Sequence, residues 1–293
     1  MLTLSPTPLI RLSNLFPQVE VHAKCEFLAP SGCFKIRGAA HLLAHLQREG
    51  RSPELIVPSM GNTALGAATG AKALGSKMTG VVPTTISKAK DEKLKALGVE
   101  LVKITGGGSE LLRTATSLAK ERGGYFVHPH LDPLWTDGYQ SIAAEVLREL
   151  PNCGSLVFPV GGGGLLMGLL AHPRQFPSAM RLFGCEPYNY PKYARFSHAR
   201  STTIADGLLL ETPHPVVQQA IAEANVAISL VAEDEIRAVL RDVYQTQGLV
   251  IEPSSAITLA FVKDQAAKLP QPICVILTGE NITREDHRRL IGE

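Results

Sequence analysis

Short apolar runs rich in β-branched residues alternate with helical patterns over most of this 293-residue chain. Such alternation is typical of parallel strands joined by crossover helices, because a parallel connection must return to the starting end of the sheet. Hydrophobic residues make up 45% of the chain, which is enough to bury a large core. The sequence therefore predicts an α/β fold.

The alternation forms two groups along the chain. In the first group, strands are predicted at 55–58, 78–82 and 100–104, with helices at 63–74, ended by Gly75, and at 87–97, with Ser87 as N-cap. In the second, strands are predicted at 155–160, 181–185 and 273–277. This grouping predicts two lobes, each with a twisted, mostly parallel sheet flanked by helices. The large lobe comprises residues 1–39 and 138–293, and the small lobe comprises residues 40–137.

The charge balance points to a small-molecule partner. Lys and Arg number 29 against 27 Asp and Glu, so the net charge of +2 gives no field suited to nucleic acid or an anionic membrane. No run of about 18 apolar residues is present, and the first residues lack the pattern of a secretory signal. We therefore expect a cytoplasmic protein, and we interpret the five scattered cysteines as reduced thiols.

Four consecutive glycines, Gly161, Gly162, Gly163 and Gly164, lie between a predicted buried strand and an apolar helix. Their backbone N–H groups, together with the helix N-terminus, can converge on one anion, which predicts a phosphate-binding loop. The tract matches neither the dinucleotide fingerprint nor the nucleotide P-loop, since Leu166 and Leu169 stand where a glycine and a lysine are required. A tight turn without a ligand is the alternative.

Lys35 lies among small and apolar residues, with Phe34 beside it and Arg37 two positions on. Burial and a nearby cation would both favour the neutral amine, which is the form that condenses with an aldehyde. From this local setting alone, a solvated lysine at a helix start remains an alternative. A third segment, 59–63, ends a predicted strand with hydroxyl, amide and backbone N–H groups that suit a carboxylate, although it could equally be an N-cap turn.

In chain order these motifs resemble the fold-type II pyridoxal-phosphate enzymes, a fold similar to the tryptophan synthase β chain, and in particular the threonine dehydratase and serine racemase branch. The resemblance covers nearly the whole chain. The matching segments are 7–9, 33–39, 59–62, 128–129, 161–164, 186–187, 203–207, 252–254 and 277–281. Cys33-Phe-Lys-Ile-Arg-Gly-Ala39 and Thr203-Ile-Ala-Asp-Gly207 are the motifs most specific to that branch.

The resemblance implies roles for individual residues. Lys35 would carry pyridoxal 5'-phosphate as a Schiff base and move the substrate's α proton, with Phe34 beside the cofactor. Gly161 to Gly164 would hold the cofactor phosphate, Asn62 its phenolic oxygen, and Thr278 its pyridine nitrogen. The substrate would be bound by Ser59, Met60, Gly61 and Thr63. Candidates for contacting its β substituent are Tyr139, Gln140 and the segment 188–193. The resemblance also implies a homodimer.

The dehydratase motifs favour a lyase that eliminates the β substituent of a small β-hydroxy or β-substituted amino acid, giving a 2-oxo acid and ammonia. A β-replacement synthase, similar to cysteine or diaminopropionate synthases, is the alternative enzyme. A catalytically silent pyridoxal-phosphate-binding or regulatory protein is the alternative from another class.

Three positions depart from the branch's pattern. Met60 replaces a serine that serves the racemases as acid and base, which predicts weak or absent racemase activity, since a thioether cannot transfer a proton. Thr63 stands where dehydratases carry His, and Asn-Thr is more similar to the cysteine synthases, which keeps the synthase alternative open. Asp206 resembles part of the branch's divalent-cation site, but a lone carboxylate does not make a metal site, and we predict none.

Overall fold

The computed structural model describes residues 3–59, 61–86, 88–171, 176–194, 201–209 and 212–293. Ten strands are present in this part of the chain: β1 Leu9–Arg11, β2 Val21–Cys25, β3 Leu55–Pro58, β4 Met78–Pro83, β5 Glu100–Ile104, β6 Tyr125–Phe126, β7 Ser155–Pro159, β8 Arg181–Pro187, β9 Ala227–Val231 and β10 Ile273–Leu277.

Eleven α-helices lie in the same described ranges: α1 Lys35–Arg48, α2 Asn62–Leu74, α3 Lys88–Ala96, α4 Gly108–Arg122, α5 Pro133–Thr136, α6 Gln140–Glu149, α7 Gly164–Leu170, α8 Pro215–Glu223, α9 Glu233–Gln247, α10 Pro253–Gln265 and α11 Arg284–Ile291. None of the helices described is both long and apolar enough to cross a bilayer.

The strands form two separate sheets. The larger sheet has the order β1-β2-β10-β7-β8-β9, and the smaller has the order β5-β4-β3-β6. Every pairing is parallel except that of β1 with β2. The predicted α/β class with two mostly parallel, helix-flanked sheets is therefore confirmed.

The two central strands of the larger sheet are buried along their whole length. All residues of β7 and β10 are buried, as expected for parallel strands with helices on both faces. The prediction placed 273–277 as the last strand of the chain, and the structure places it between β2 and β7. The carboxyl ends of β7 and β10 therefore lie side by side.

The proposed lobe boundaries fall inside elements of the structure. Helix α1 runs across the boundary between residues 39 and 40, and a 3₁₀ turn, Asp137–Tyr139, runs across that between 137 and 138. The boundaries stay a prediction.

Helices α1 and α2 cross closely at the start of α1. A Cβ on Gly66 of α2 would lie 2.7 Å from the backbone carbon and the Cβ of Lys35, so only glycine permits this approach. Helix α2 ends where it was predicted to end, since Gly75 adopts the left-handed conformation with φ 66°. The crossing fixes the backbone position of Lys35 against α2.

Candidate active site

A cavity of about 470 Å³ opens between the two sheets and is bordered by the carboxyl ends of β3 and β7. In open α/β sheets, ligands bind in the crevice outside the carboxyl ends of the strands. Every described residue among the predicted cofactor and substrate contacts lines it: Phe34, Lys35, Ser59, Gly61, Asn62, Thr63, Gly161, Gly162, Gly163, Gly164 and Thr278. Met60 lies outside the described residues. The structure thus brings the predicted residues together, while their individual roles stay predictions.

Lys35 is the first residue of α1, and its Nζ lies 4.8 Å from the centroid of the Phe34 ring and 5.5 Å from that of Tyr139. Burial lowers the pKa of Lys35 to about 8, while the nearby Cys33 and Glu252 act to raise it. Near neutral pH a useful fraction of the amine is therefore unprotonated. This is the state in which a lysine condenses with an aldehyde.

Arg37 does not act on Lys35 as the sequence suggested. Its guanidinium contacts two carboxylates: Nε lies 2.7 Å from Oε2 of Glu26, and Nη1 lies 2.6 Å from Oε1 of Glu145. Lys24, fully buried on β2, adds a second cation to Glu145. Nζ of Lys24 also lies 4.0 Å from Oε1 of Glu149, so both buried cations have carboxylate partners. It ties α1 to β2 and α6, while burial supplies the shift in the pKa of Lys35.

The glycine loop leaves β7 and enters α7 through Gly163, whose φ is +87°. A Cβ on Gly162 would lie 2.3 Å from ring atoms of His130, and one on Gly163 would lie 2.5 Å from Val217. Both positions require glycine. All four glycines line the cavity, and a loop without side chains there is suited to binding a phosphate group through backbone N–H groups.

Asn62 is held in place by hydrogen bonds from both sides of its amide. Its Nδ2 donates to Oε1 of Glu252 at 2.7 Å, and Nδ2 of Asn281 donates to its Oδ1 at 2.8 Å. Lys93 on α3 donates to Oδ1 of Asn281 at 2.8 Å. This chain of contacts joins the small sheet's helices to the end of the large sheet.

Glu252 is a functional candidate to which the sequence assigned no role. It is 5% exposed, it lines the cavity, and burial together with Asp206 raises its pKa to about 7, against lowering by Lys90 and Asn62. The available signal was an acidic residue directly before Pro253 at a helix start, within a segment matched to the family. That signal does not reveal burial.

Thr278 follows β10 directly, and its Oγ1 lies 3.1 Å from Oγ of Ser255. The backbone N–H of Phe34 donates to the carbonyl of Thr278 at 3.0 Å, which holds the start of α1 against the end of β10. The neighbouring Ser254 lines the cavity with a buried Oγ that has no hydrogen-bond partner among the described residues. This hydroxyl is therefore available to a polar atom of a ligand or to a water molecule in the cavity.

Three histidines form a cluster behind the glycine loop. The ring centroids of His128, His130 and His214 lie 5.6–6.0 Å apart, and His130 and His214 line the cavity. Nδ1 of His128 accepts hydrogen bonds from the N–H groups of His130 and Leu131. Burial lowers the pKa of His128 to about 4 and lowers that of His130 well below its usual range, so both rings are neutral at physiological pH.

Asp206 also lines the cavity, where its Oδ2 lies 3.0 Å from Nζ of Lys90. Within the described ranges, no group of three or more His, Cys, Asp or Glu side chains is arranged to hold a metal ion.

Of the residues suggested for the β substituent, Tyr190 lines the cavity, whereas Tyr139 packs beneath Phe34 with ring centroids 4.7 Å apart.

A buried lysine of lowered pKa and a loop of four glycines line one cavity between two mostly parallel sheets, an arrangement suited to an aldehyde cofactor with a phosphate group. The chain belongs to the family described as "Pyridoxal-phosphate dependent enzyme", whose family model matches residues 1–279. The predicted cofactor is thereby confirmed.

Individual relatives point to one branch of this family. The chain is 31% identical over 266 residues to "L-threonine dehydratase catabolic TdcB" of Staphylococcus aureus (strain N315), covering 87% of this chain and 77% of the relative. It is 31% identical over 277 residues to "L-threonine ammonia-lyase" of Geobacter sulfurreducens, covering 90% of this chain and 68% of the relative. The solved structure of the processed form of threonine deaminase isoform 2 from Solanum lycopersicum superposes with a TM-score of 0.88 at 26% identity, covering 99% of this chain and 84% of that chain. These matches confirm the predicted branch of the family.

The residues present fit pyridoxal phosphate. The four glycines line the cavity without side chains, the amine of Lys35 is partly neutral, and the Ser254 hydroxyl lacks a partner among the described residues. Lys35 would form the covalent link, Gly161 to Gly164 would hold the phosphate, and Asn62 and Thr278 would face the ring. When bound, the cofactor draws electron density from the substrate's α carbon.

Proposed function

We propose that this protein is a pyridoxal-phosphate-dependent ammonia-lyase that eliminates the β substituent of a small β-hydroxy amino acid. The observation that carries the proposal is the position of Lys35: its amine, with a pKa lowered to about 8, borders the same cavity as the glycine loop. The relatives named as threonine dehydratase and threonine ammonia-lyase support elimination as the reaction.

Substrate binding and proton removal are carried out by different residues of the chain. The loop of Ser59 to Thr63 binds and orients the substrate carboxylate with hydroxyl and backbone N–H groups. Lys35 Nζ removes the proton from Cα. The C–O bond at Cβ then breaks, and the departing hydroxide takes a proton to become water. A water molecule is consumed when the unsaturated amino acid hydrolyses, so the products are one 2-oxo acid and one ammonia per substrate.

The synthase and the silent binding protein each predict an outcome that differs from that of a lyase. A β-replacement synthase, for which Thr63 after Asn62 is the supporting observation, would use the same α-proton removal but would require an added nucleophile. A silent binding protein would bind the cofactor and release nothing. Incubating the holoenzyme with L-threonine or L-serine, with and without sulfide, separates the three readings.

We expect ammonia and 2-oxo acid in equal amounts without sulfide, and we expect Lys35→Ala to abolish both. Lys120→Ala, which changes an exposed lysine of α4, is the matched control and should leave the rate unchanged. A product that forms only with sulfide would replace the lyase with the synthase, and cofactor binding without any product would favour the silent binder.

We also propose that the enzyme is a cytoplasmic homodimer with lobes 1–39 plus 138–293 and 40–137. The resemblance to the family supports the dimer, and the separation of the chain into two sheets supports the lobes. Sedimentation equilibrium of the holoenzyme tests the dimer, which requires twice the chain's 31.4 kDa.

A further inference from the structure

Two histidine rings lie beside the glycine loop. The ring of His130 packs on the loop, since a Cβ on Gly162 would lie 2.3–2.4 Å from three of its ring atoms. His214 is the N-cap of α8, and a Cβ on Gly163 would lie 2.5 Å from Val217 in the first turn of that helix. Both histidines line the cavity together with the four glycines. Two imidazoles therefore border the end of the cavity that the glycine loop forms.

The two rings are within reach of one shared hydrogen bond. Nε2 of His214 lies 3.5 Å from Nδ1 of His130, so one of these nitrogens donates and the other accepts. The outer nitrogens, Nδ1 of His214 and Nε2 of His130, have no hydrogen-bond partner among the described residues. In a neutral pair only one outer nitrogen carries a hydrogen, because each imidazole has a single N–H and one of the two lies between the rings. One added proton makes both outer nitrogens donors.

The cavity has little permanent positive charge to offer a phosphate. Among the described lining residues, the lysines are Lys35, which would bond the cofactor aldehyde, and Lys90, whose Nζ lies 3.0 Å from Oδ2 of Asp206. A phosphate ester near neutral pH carries close to two negative charges. Backbone N–H groups donate hydrogen bonds to it without balancing its charge, and a buried unbalanced charge is costly. A proton held by the histidine pair would supply a balancing charge.

In the free protein the surroundings keep both rings neutral. Burial lowers the pKa of His214, and burial is also the main reason that the pKa of His130 lies well below its usual range. A nearby dianion acts in the opposite direction and raises the pKa of an imidazole. The charged or titratable groups that face the pair from the elements around it are Lys35, His128, the Tyr193 hydroxyl that accepts from the His214 N–H, and the Asp206–Lys90 ion pair beside Gly161.

We propose that His130 and His214 form a proton-binding pair that completes the phosphate end of the site. One proton enters the pair when a phosphate dianion binds at the glycine loop, and the charged pair then donates to the phosphate oxygens. The inference rests on the assignment of the glycine loop to the cofactor phosphate and does not depend on elimination. Above the second pKa of a phosphate ester, about 6, affinity for the phosphate group falls as the pH rises, because the bound pair loses its proton.

The test uses pyridoxine 5'-phosphate, which carries an alcohol in place of the aldehyde and therefore cannot form a covalent bond to Lys35. Isothermal titration calorimetry of the apoprotein at about pH 7.5, where the phosphate is a dianion, is repeated in buffers of different protonation enthalpy. The dependence of the heat on the buffer gives the number of protons taken up on binding. Each proton taken up raises the dissociation constant about tenfold per pH unit.

A matched pair of variants assigns the proton to the histidines. His214→Gln keeps a polar side chain that cannot bind the proton, and we expect its uptake to be smaller than that of the parent by about one proton. Its dissociation constant at this pH should rise roughly tenfold or more, the usual effect of losing a charged donor. His45→Gln, which changes a histidine of α1 that pairs with Glu49, should match the parent. Equal uptake by the parent and His214→Gln would overturn the proposal.

Nitrogen NMR of the imidazole side chains tests the pair in the parent protein, without any variant. We expect the signals of His130 and His214 to be those of neutral rings in the free protein and to move towards the protonated form when pyridoxine 5'-phosphate binds. Rings that stay neutral in the complex would contradict the pair. Failure of the holoenzyme to eliminate any β-hydroxy amino acid would overturn the proposed function and leave both binding results standing.

Discussion

Lys35 and Glu252 share one buried environment, and the carboxylate of Glu252 raises the pKa of the lysine that burial lowers. The neutral amine is the reactive form, so its fraction rises as the pH rises through about 8. We therefore expect the rate at which the apoprotein combines with pyridoxal phosphate to rise with pH and to level off above that value. The appearance of visible absorption after rapid mixing measures this rate.

Glu252→Gln removes the charge that raises the lysine pKa, so the midpoint of this pH profile should move to lower pH. Glu121→Gln, at an exposed position of α4, is the control and should leave the midpoint unchanged. A midpoint near the ordinary lysine value of 10.5 in the parent protein would contradict the buried setting of Lys35.

The thioether side chain of Met60 predicts that the enzyme does not racemise its substrate. The racemase branch has a serine at this position, and a thioether has no proton to exchange. We expect L-serine to keep its configuration in the presence of the holoenzyme, and Met60→Ser to raise racemisation by roughly a hundredfold, the usual contribution of a placed acid or base. Chiral chromatography of serine follows both. Rapid inversion by the parent enzyme would sink this prediction.

At the residue level the sequence located the site but not its electrostatics. The motifs around Lys35, Asn62 and the glycine loop could be predicted because local residue types carry them. The environment of Arg37 could not, because its partners Glu26 and Glu145 lie 11 and 108 positions away in the chain. The buried state of Glu252 likewise depends on packing between distant elements.

The glycine loop packs tightly against the residues around it and leaves no room for side chains. An alanine at position 162 would place its Cβ 2.3 Å from the His130 ring, so either the loop or the ring must move. Overpacking of this kind costs about 1–3 kcal/mol, and we expect Gly162→Ala to weaken cofactor binding by roughly tenfold. Equilibrium titration with pyridoxal phosphate measures the loss.

His130→Ala in the Gly162→Ala background removes the clashing ring and should restore part of the affinity. Gly75→Ala is the control, since nothing lies within 4 Å of a Cβ at that position and its φ of +66° predicts lower stability but unchanged cofactor affinity. If Gly162→Ala binds the cofactor as tightly as the parent protein, the loop does not contact the phosphate.

Uninterrupted apolar runs made the strands β3 and β10 predictable. Strand β2 has no such run, because His22 and Lys24 interrupt it. Lys24 is tolerated in a buried strand because the Glu145 carboxylate balances its charge. The carbonyl of Thr7 accepts a hydrogen bond from its Nζ. β6 has only two residues, which is too short for any periodicity to be seen.

On the scale of the whole molecule, the two sheets are joined through one cavity lined by residues from both. Strand order, including the central place of β10, depends on pairings between distant segments that no local pattern records. The class of fold could be predicted from the alternation of elements. The way in which the two sheets border one cavity required the structure.

Because the cavity walls come from both sheets, the cofactor should stabilise the entire protein. A ligand present at a hundredfold its dissociation constant adds about 2.7 kcal/mol to the free energy of unfolding. For a chain of this size we expect a rise in Tm of roughly 4–5 °C. Differential scanning calorimetry of the apoprotein with and without pyridoxal phosphate measures it, and Lys35→Ala should lose most of the increase. An unchanged Tm in the parent protein would contradict a cofactor site between the sheets.

The central claim is that Lys35 and its surroundings perform elimination. The most direct measurement follows ammonia and 2-oxo acid in parallel when the holoenzyme is mixed with L-threonine in the absence of any added nucleophile. The predicted result is equimolar formation of both products by the parent enzyme and by Lys120→Ala, and none by Lys35→Ala. Cofactor bound to Lys35 with neither product formed would contradict the account.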